Sequence, residues 1–412
     1  MPRGSLTAAG RFAFVFLWLF VLSFPVEKAI NIPGLGSISR IFGLIALGAG
    51  MLAVLIDGRI RVFSPMHAAP VLFVLWTALT MRWSLAPKDT AANVQTYLQL
   101  LGMAWLIWEF AATQDRIANL MQAYVLGTLY AAFDTISRWV LARQTYYQRY
   151  AATGFDPNDL ALTLALSIPL SYCLSASNRG AKAWVYRAQM VLALVTILLS
   201  ASRTGFLTVC LAALVLPLSF PYVRRVERKW MACGVVVAVV AAAAVIPANS
   251  WKRLSTIGSE VSTGTLNNRA LIWNAGLVSF RQHPMAGVGG GAFPRSVEPM
   301  LGFPKGWLIV AHNTFFSVLV ETGVVGFALF LLFLLSLVLA VRRMQGLKRV
   351  VWAVMLLVWG VGVSTLSWET RKPTWLIFAL ILAEARLLPE VRARRSATQF
   401  GMRMGMKEVA LP

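Results

Sequence analysis

The feature that most constrains this chain is a succession of apolar runs of about 20 residues, separated by short loops rich in arginine and lysine. Twenty apolar residues wound into a helix cover about 30 Å, the thickness of a bilayer's hydrocarbon. So many runs cannot be hidden in a water-soluble core, so the chain is read as spanning a membrane. Composition agrees, with 58% of residues hydrophobic and only 13% charged. About twelve spans can be placed, near 12–25, 38–56, 66–81, 93–112, 117–141, 158–176, 184–200, 204–221, 230–248, 313–341, 350–367 and 373–389. The first run lacks a small-residue cleavage site and further spans follow directly, so it reads as a retained helix.

The fold class expected is all-α, a polytopic membrane protein. A bundle of about nine helices occupies 1–248, an extramembrane loop domain 249–312, about three spans 313–389 and a basic tail 390–412. Cations mark one side of it: "DGRIR" at 57–61, "NRGAK" at 178–182, "RRVERK" at 224–229, the pairs at 342–343 and 348–349, and "RARR" at 392–395. The positive-inside rule puts these loops and both termini in the cytoplasm. Most of the net charge of +22 is then topogenic, lying beside anionic lipid and implying no nucleic-acid partner. The segment 249–312 opposes the trend. It would lie outside, yet it holds Lys252, Arg253, Arg269, Arg281, Arg295 and Lys305 against Glu260 and Glu298. An outward cationic surface points to an anionic ligand.

Cys173, Cys210 and Cys233 fall in apolar runs without paired spacing, so neither a disulfide nor a thiolate metal site is expected. His67, His283 and His312 are too scattered for a zinc motif. Within 249–312, a polar stretch leads into an amphipathic helix starting near Arg269, with Asn267 or Asn268 as its cap and Leu271, Ile272, Leu277 and Phe280 as its apolar face. "HPMAGVGGGAFP" then breaks that helix.

Four polar constellations stand out, all on the outer side of this topology. "TGFDPNDLA" at 153–161 supplies a helix cap from Asp156, Asn158 or Asp159 and can shape the rim of a site. "LSASRTGFL" at 199–207 sets Arg203 among small residues in an apolar stretch, where a guanidinium either snorkels or faces a cavity, a partner or an anion. "NNRALIW" at 267–273 puts Arg269 at a helix N-terminus, whose free amides favour anions. "AHNTFFSVLVETGVVGF" at 311–327 puts His312 and Asn313 at the mouth of a span carrying Glu321. The glycine run at 287–293 is either a phosphate cradle or a turn between helices, and it follows no strand. His312 is the histidine placed nearest the outward arginines, and so the best base or proton carrier, though it can equally be an interfacial cap.

In their order and separations, "TGFDPNDLA", "SASRTG", "NNRALIW", "HPMAGVGGGAF" and "HNTFFSVLVETGVVGF" resemble the O-antigen ligase and polymerase superfamily of bacterial membrane glycosyltransferases. The likeness covers roughly 150–330, and the single large outer loop before the histidine looks most like O-antigen ligase. The resemblance implies a GT-C-like integral-membrane fold and a donor polysaccharide on undecaprenyl pyrophosphate. It also implies a lipid A-core acceptor, a periplasmic active site at the inner membrane, and no metal or nucleotide cofactor. It carries catalytic roles to His312, Arg203 and Arg269. Arg281 and Asn313 are further candidates for binding the donor, and Glu298 is a weak alternative base. The alternatives are O-antigen polymerase with the same donor, a protein-glycosylating ligase, or a multipass anion transporter.

Overall fold

The computed structural model describes residues 6–27, 29–32, 36–142, 149–223, 225, 228–229, 236, 240, 248–255, 269–302, 304 and 306–387. Helices dominate: α1 (Ala8–Leu22), α2 (Ile38–Asp57), α3 (Ala68–Leu79), α4 (Pro87–Phe110), α5 (Gln114–Val140), α6 (Pro157–Ser177), α7 (Gly180–Leu199), α8 (Arg203–Ala213), α9 (Val215–Ser219), α10 (Ala248–Ser255), α11 (Arg269–Gln282), α12 (Phe293–Leu301), α13 (Thr314–Arg343) and α14 (Gly346–Val363). A last helix, α15, runs over 372–387. Between α1 and α2 lies a small antiparallel ladder, β1 (Asn31–Ile32) with β2 (Gly36–Ser37).

Each apolar run coincides with helix except 230–248, which lies almost wholly outside the described residues, as do the proposed caps Asn267 and Asn268 and the tail 390–412. Six stretches are long and apolar enough to cross a membrane: α2, α6, α7, the joined α8 and α9 (Arg203–Tyr222), α13 and α14. The expected count of about twelve is thus not reached by that measure among the described residues. The physical reason is local. α1 and α3 are only 15 and 12 residues long. α4 and α5 are long but interrupt their apolar character with Gln95, Gln99, Gln122 and Asp134.

α6 is the axis of the fold. Its apolar residues surround the helix, and 83% of its apolar window is buried against α5, α7, α8 and α14. Three of these helices are tied by one buried amide. Gln189 Nε2 donates to Thr128 Oγ1 at 3.1 Å and Ser167 Oγ at 2.6 Å, and Gln189 Oε1 accepts from Ser171 Oγ at 2.5 Å. A fully satisfied amide of this kind fixes helix register where hydrophobic contact alone is indifferent.

The chain alternates direction, so the N-termini of α4, α6, α8, α13 and α15 gather at one end of the bundle with the C-termini of α3, α5, α7 and α14. The cation-rich turns at 57–61, 178–182 and 342–349 connect helices at the opposite end. Bonds across that opposite end confirm the arrangement: Thr7 reaches Asp57, and Lys348 reaches Glu384 and Gln114.

α13 is not one helix. Gly323, at φ 66° and ψ −173°, breaks it into a short piece beginning at Thr314 and a long piece ending at Arg343. The loop after α11 fills the break. Val324 N donates to Pro284 O and Val325 N to Met285 O, while Val288 N and Gly289 N donate to the carbonyls of Val320 and Glu321. A β-carbon on Gly323 would lie 2.3 Å from Met285 O, so only glycine fits.

Candidate active site

The site begins at the N-terminus of α6. Asp156 caps it, its carboxylate accepting from the amides of Asn158 at 2.8 Å and Asp159 at 3.4 Å, as its residue type and position led one to expect. Asn158 Oδ1 turns toward the Arg203 motif, accepting from Ser202 Oγ at 2.8 Å and from Arg149 Nη2 at 2.9 Å. Ser202 in turn caps α8, whose first residue is Arg203. Packing there is close: a β-carbon on Gly205 would meet that of Ala161 at 2.5 Å, so the small residues around Arg203 serve helix contact.

Asp159, one residue on from Asn158, is clasped by a segment sequence reasoning overlooked. This is "STLSWETR" at 364–371, between α14 and α15. Asp159 Oδ1 accepts from Trp368 Nε1 at 2.8 Å, and Oδ2 pairs with Arg371 Nη2 at 3.1 Å. Thr365 Oγ1 lies 2.8 Å from Thr204 Oγ1, beside Arg203. Leu366 O and Glu369 Oε2 accept from Thr314 Oγ1 at 2.9 and 3.1 Å, and Glu369 Oε1 accepts from Ser317 Oγ at 3.1 Å. One octapeptide therefore holds the neighbours of Arg203 and His312 together with Asp159. A dense polar run between two apolar ones, on the same side as His312, was the signal that could have found it.

His312 stands just before α13 in the left-handed region, at φ 49°. Ala201, in the Arg203 motif, shares that conformation at φ 48°. Non-glycine residues adopt it at a cost and concentrate at sites where the surrounding structure enforces it. Burial lowers the pKa of His312 from the ordinary 6.5, nearby Arg269 lowers it further, and Asp156 and Asp159 oppose both. The imidazole is thus kept neutral near pH 7.

Arg269 reaches this group from α11. Trp273, one turn later, donates Nε1–H to Ala311 O at 2.8 Å, fastening the helix to the residue before His312. The buried face of α11 is Ile272, Ala275, Gly276 and Ser279, whereas Leu271 and Leu277 point outward, contrary to the expected apolar stripe. Gly276 lets Phe293 and Phe316 pack against the helix, where a β-carbon would lie 2.9 and 2.6 Å from their rings. Burial also lowers the pKa of Arg269 from its usual value. Among the described residues, no ion pair or hydrogen bond engages its guanidinium.

The glycine run cradles a carboxyl group that belongs to the protein itself. Glu321 Oε2 accepts from Gly291 N at 2.7 Å and Oε1 from Phe293 N at 3.4 Å, and Ser317 Oγ lies 3.4 Å from Oε1. Gly290 N donates to Thr80 Oγ1 at 3.0 Å. With these amides engaged, the run is a turn wedged between α3 and α13 and does not serve as a phosphate cradle.

Three expected contributors are placed otherwise. Arg281 is exposed at the far end of α11, twelve residues or about 18 Å along the axis from Arg269, because both lie on one straight helix. Asn313 is the N-cap of α13, its Oδ1 accepting from Phe316 N at 3.0 Å. Glu298 pairs with Arg295 at 3.2 Å and accepts from Gly306 N at 2.7 Å on the half-buried α12. Arg295 also faces Asp89 at 3.6 Å, so part of the outward positive charge is neutralised internally. No cluster of three or more potential metal ligands occurs among the described residues.

These features define a helical membrane protein with a neutral imidazole and arginine-bearing motifs gathered at one end of its bundle. Residues 188–331, from within α7 into α13, match the family model Wzy_C, O-antigen ligase. That match supports the chain's place in the O-antigen ligase superfamily, a glycosyltransferase-like family of membrane enzymes. No curated protein matches the chain.

Proposed function

We propose that this protein is an O-antigen ligase, transferring O-antigen polysaccharide from undecaprenyl pyrophosphate to a sugar hydroxyl of lipid A-core at the periplasmic face of the bacterial inner membrane. About twelve spans, cytoplasmic termini and a GT-C-like architecture belong to the same reading. Its main support is the gathering of the Asp156, Arg203, Arg269 and His312 motifs at the bundle end opposite the cation-rich turns.

In this mechanism the guanidinium groups of Arg203 and Arg269 hold the pyrophosphate. Arginine grips phosphate oxygens in a planar fork and keeps its charge at any working pH. As the glycosidic carbon–oxygen bond breaks, negative charge grows on the leaving pyrophosphate, and cations already in place stabilise it; losing one such donor costs roughly 10²–10³ in rate. His312, neutral at pH 7, accepts the proton of the attacking hydroxyl, a contribution of roughly 10²–10⁴. Direct attack inverts the anomeric centre. The chemistry requires no metal ion or nucleotide.

O-antigen polymerase would use the same donor. The connection between α5 and α6 spans only 141–156, which favours a ligase with one large outer loop. An anion transporter would use a broken helix such as α13 as its binding site. Here the break is filled by 284–289, which argues for a fixed site.

The test is a lipopolysaccharide gel from a strain lacking the gene. A ligase defect leaves bare core with polymer accumulating on its lipid carrier, whereas core bearing a single repeat would identify a polymerase. An unchanged ladder refutes both.

A further inference from the structure

On the far side of 364–371 from Asp159 lies a second, chemically different space. Thr370 sits between Glu369, which holds Thr314, and Arg371, which holds Asp159. Thr370 itself helps line an open cavity of about 300 Å³. The other walls are Asp89, Asn93 and Thr96 of α4, with Gly291 and Pro294 from the loop that binds Glu321. The cavity and the network that ties Asp159 to Thr314 thus share one wall.

The lining selects its ligand by what it contains and omits. Among the described residues that line it there is no cation. Its one titratable wall residue, Asp89, faces Arg295 at 3.6 Å and shares it with Glu298. The rest are two threonine hydroxyls, a carboxamide, a peptide edge, a proline ring and the apolar side chains of Ala92 and Leu308, groups that suit the hydroxyls and apolar face of a neutral sugar. Asn93 Oδ1 is buried and makes no hydrogen bond among the described residues, an unmet acceptor just behind the wall. Gly291, at φ 74°, lets the loop approach: a β-carbon there would lie 2.9 Å from that of Asn93. The volume is at the lower end for small-molecule sites and fits a sugar ring or two, not a length of polymer.

We propose that this cavity is a neutral-sugar subsite, placing a sugar beside the cluster of Arg203, Arg269 and His312. The proposal rests on the ligase reading, and the sugar can arrive on either substrate. It is the terminal sugar of the lipid A-core acceptor or the reducing-end sugar of the lipid-linked donor.

The experiment uses the full chain in detergent or nanodiscs, with core oligosaccharide released from lipid A and free O-antigen polysaccharide as separate binding probes. Kinetics of transfer are measured alongside. Asn93→Ala and Thr370→Ala each weaken binding of one probe, and raise the KM of the matching substrate, by roughly tenfold, the loss of about one hydrogen bond. The affected probe identifies the substrate. Thr370→Ser, which keeps the hydroxyl, restores binding and separates recognition from folding. Equal binding by wild type and both variants overturns the proposal, as does failure of the wild type to bind either probe while it still transfers polymer. If the wild type binds a probe through Asn93 yet transfers nothing, the subsite stands and the ligase reading falls.

Discussion

The two ends of the bundle both bring charge to a membrane surface, but they dispose of it differently. At the end away from His312, cations meet their partners directly. Lys348 contacts buried Glu384 and Gln114, and Arg61 stacks on Trp108 and binds its carbonyl while its own amide binds Glu109. At the His312 end Arg371, Arg138 and Lys372 also pair with Asp159, Asp134 and Glu27, but two buried carboxyl groups look elsewhere. Glu321 holds loop amides, and Glu369 holds the hydroxyls of Thr314 and Ser317. Arg269 is left beside an imidazole. Charge settled within the chain stabilises and orients a fold, whereas a half-buried guanidinium whose nearby acids are engaged elsewhere is poised for something that arrives.

That contrast is open to direct challenge. Replacing His312, Arg269 or Arg203 with alanine is expected to reduce transfer by roughly 10²–10⁴ at equal protein levels, scored as loss of the polymer ladder. Full ladders from all three would remove the distinction between the ends. The next largest effect is on folding. Gly323→Ala forces a β-carbon against Met285 O in a conformation that only glycine tolerates, and should cost about 3 kcal/mol or more, seen as a collapse of folded yield or of Tm in detergent. Lys348→Met strands Glu384 but removes a half-exposed lysine. A loss of about 1–2 kcal/mol is expected, with kcat of the surviving protein unchanged. A fall in kcat matching that of Arg269→Ala would show that the far end takes part in the chemistry.

The smallest effect concerns pH. His312 must be neutral to accept a proton, and its lowered pKa keeps it so below pH 6.5; activity should therefore hold until the pH falls through that depressed value. Asp159 raises this pKa, so Asp159→Asn shifts the acid limb to lower pH, whereas Arg269→Gln shifts its residual activity to higher pH. A limb that moves the other way in either variant would take the proton-accepting role away from His312.

Helix positions were legible because hydropathy repeats over twenty residues, and the motif cluster was legible because arginine, histidine and paired aspartates are rare in such surroundings. What stayed hidden depended on single residues or on distant pairing. Nothing in "VETGVVGF" distinguishes Gly323, which breaks a helix, from Gly326, which lies within one. Arg281 looked equivalent to Arg269 because a list of charges carries no axial distance. The octapeptide 364–371 straddles the end of the run placed at 350–367, and its partners Asp159, Thr204 and Thr314 lie 52 to 209 residues away in sequence. Glu321 stands as a lone acid in an apolar run. Its partners are two amides and a serine, and no periodicity announces a carboxylate aimed at a backbone turn.

The splice at Gly323 carries a consequence for how the protein is assembled. The loop 284–289 supplies donors and acceptors that a continuous helix would have found within itself, so neither piece of α13 is complete until residues made earlier in synthesis have threaded in beside it. The outer segment and the membrane segment are therefore halves of one cooperative unit. A chain severed between Gln282 and Thr314 should regain its function only if both fragments enter the bilayer together.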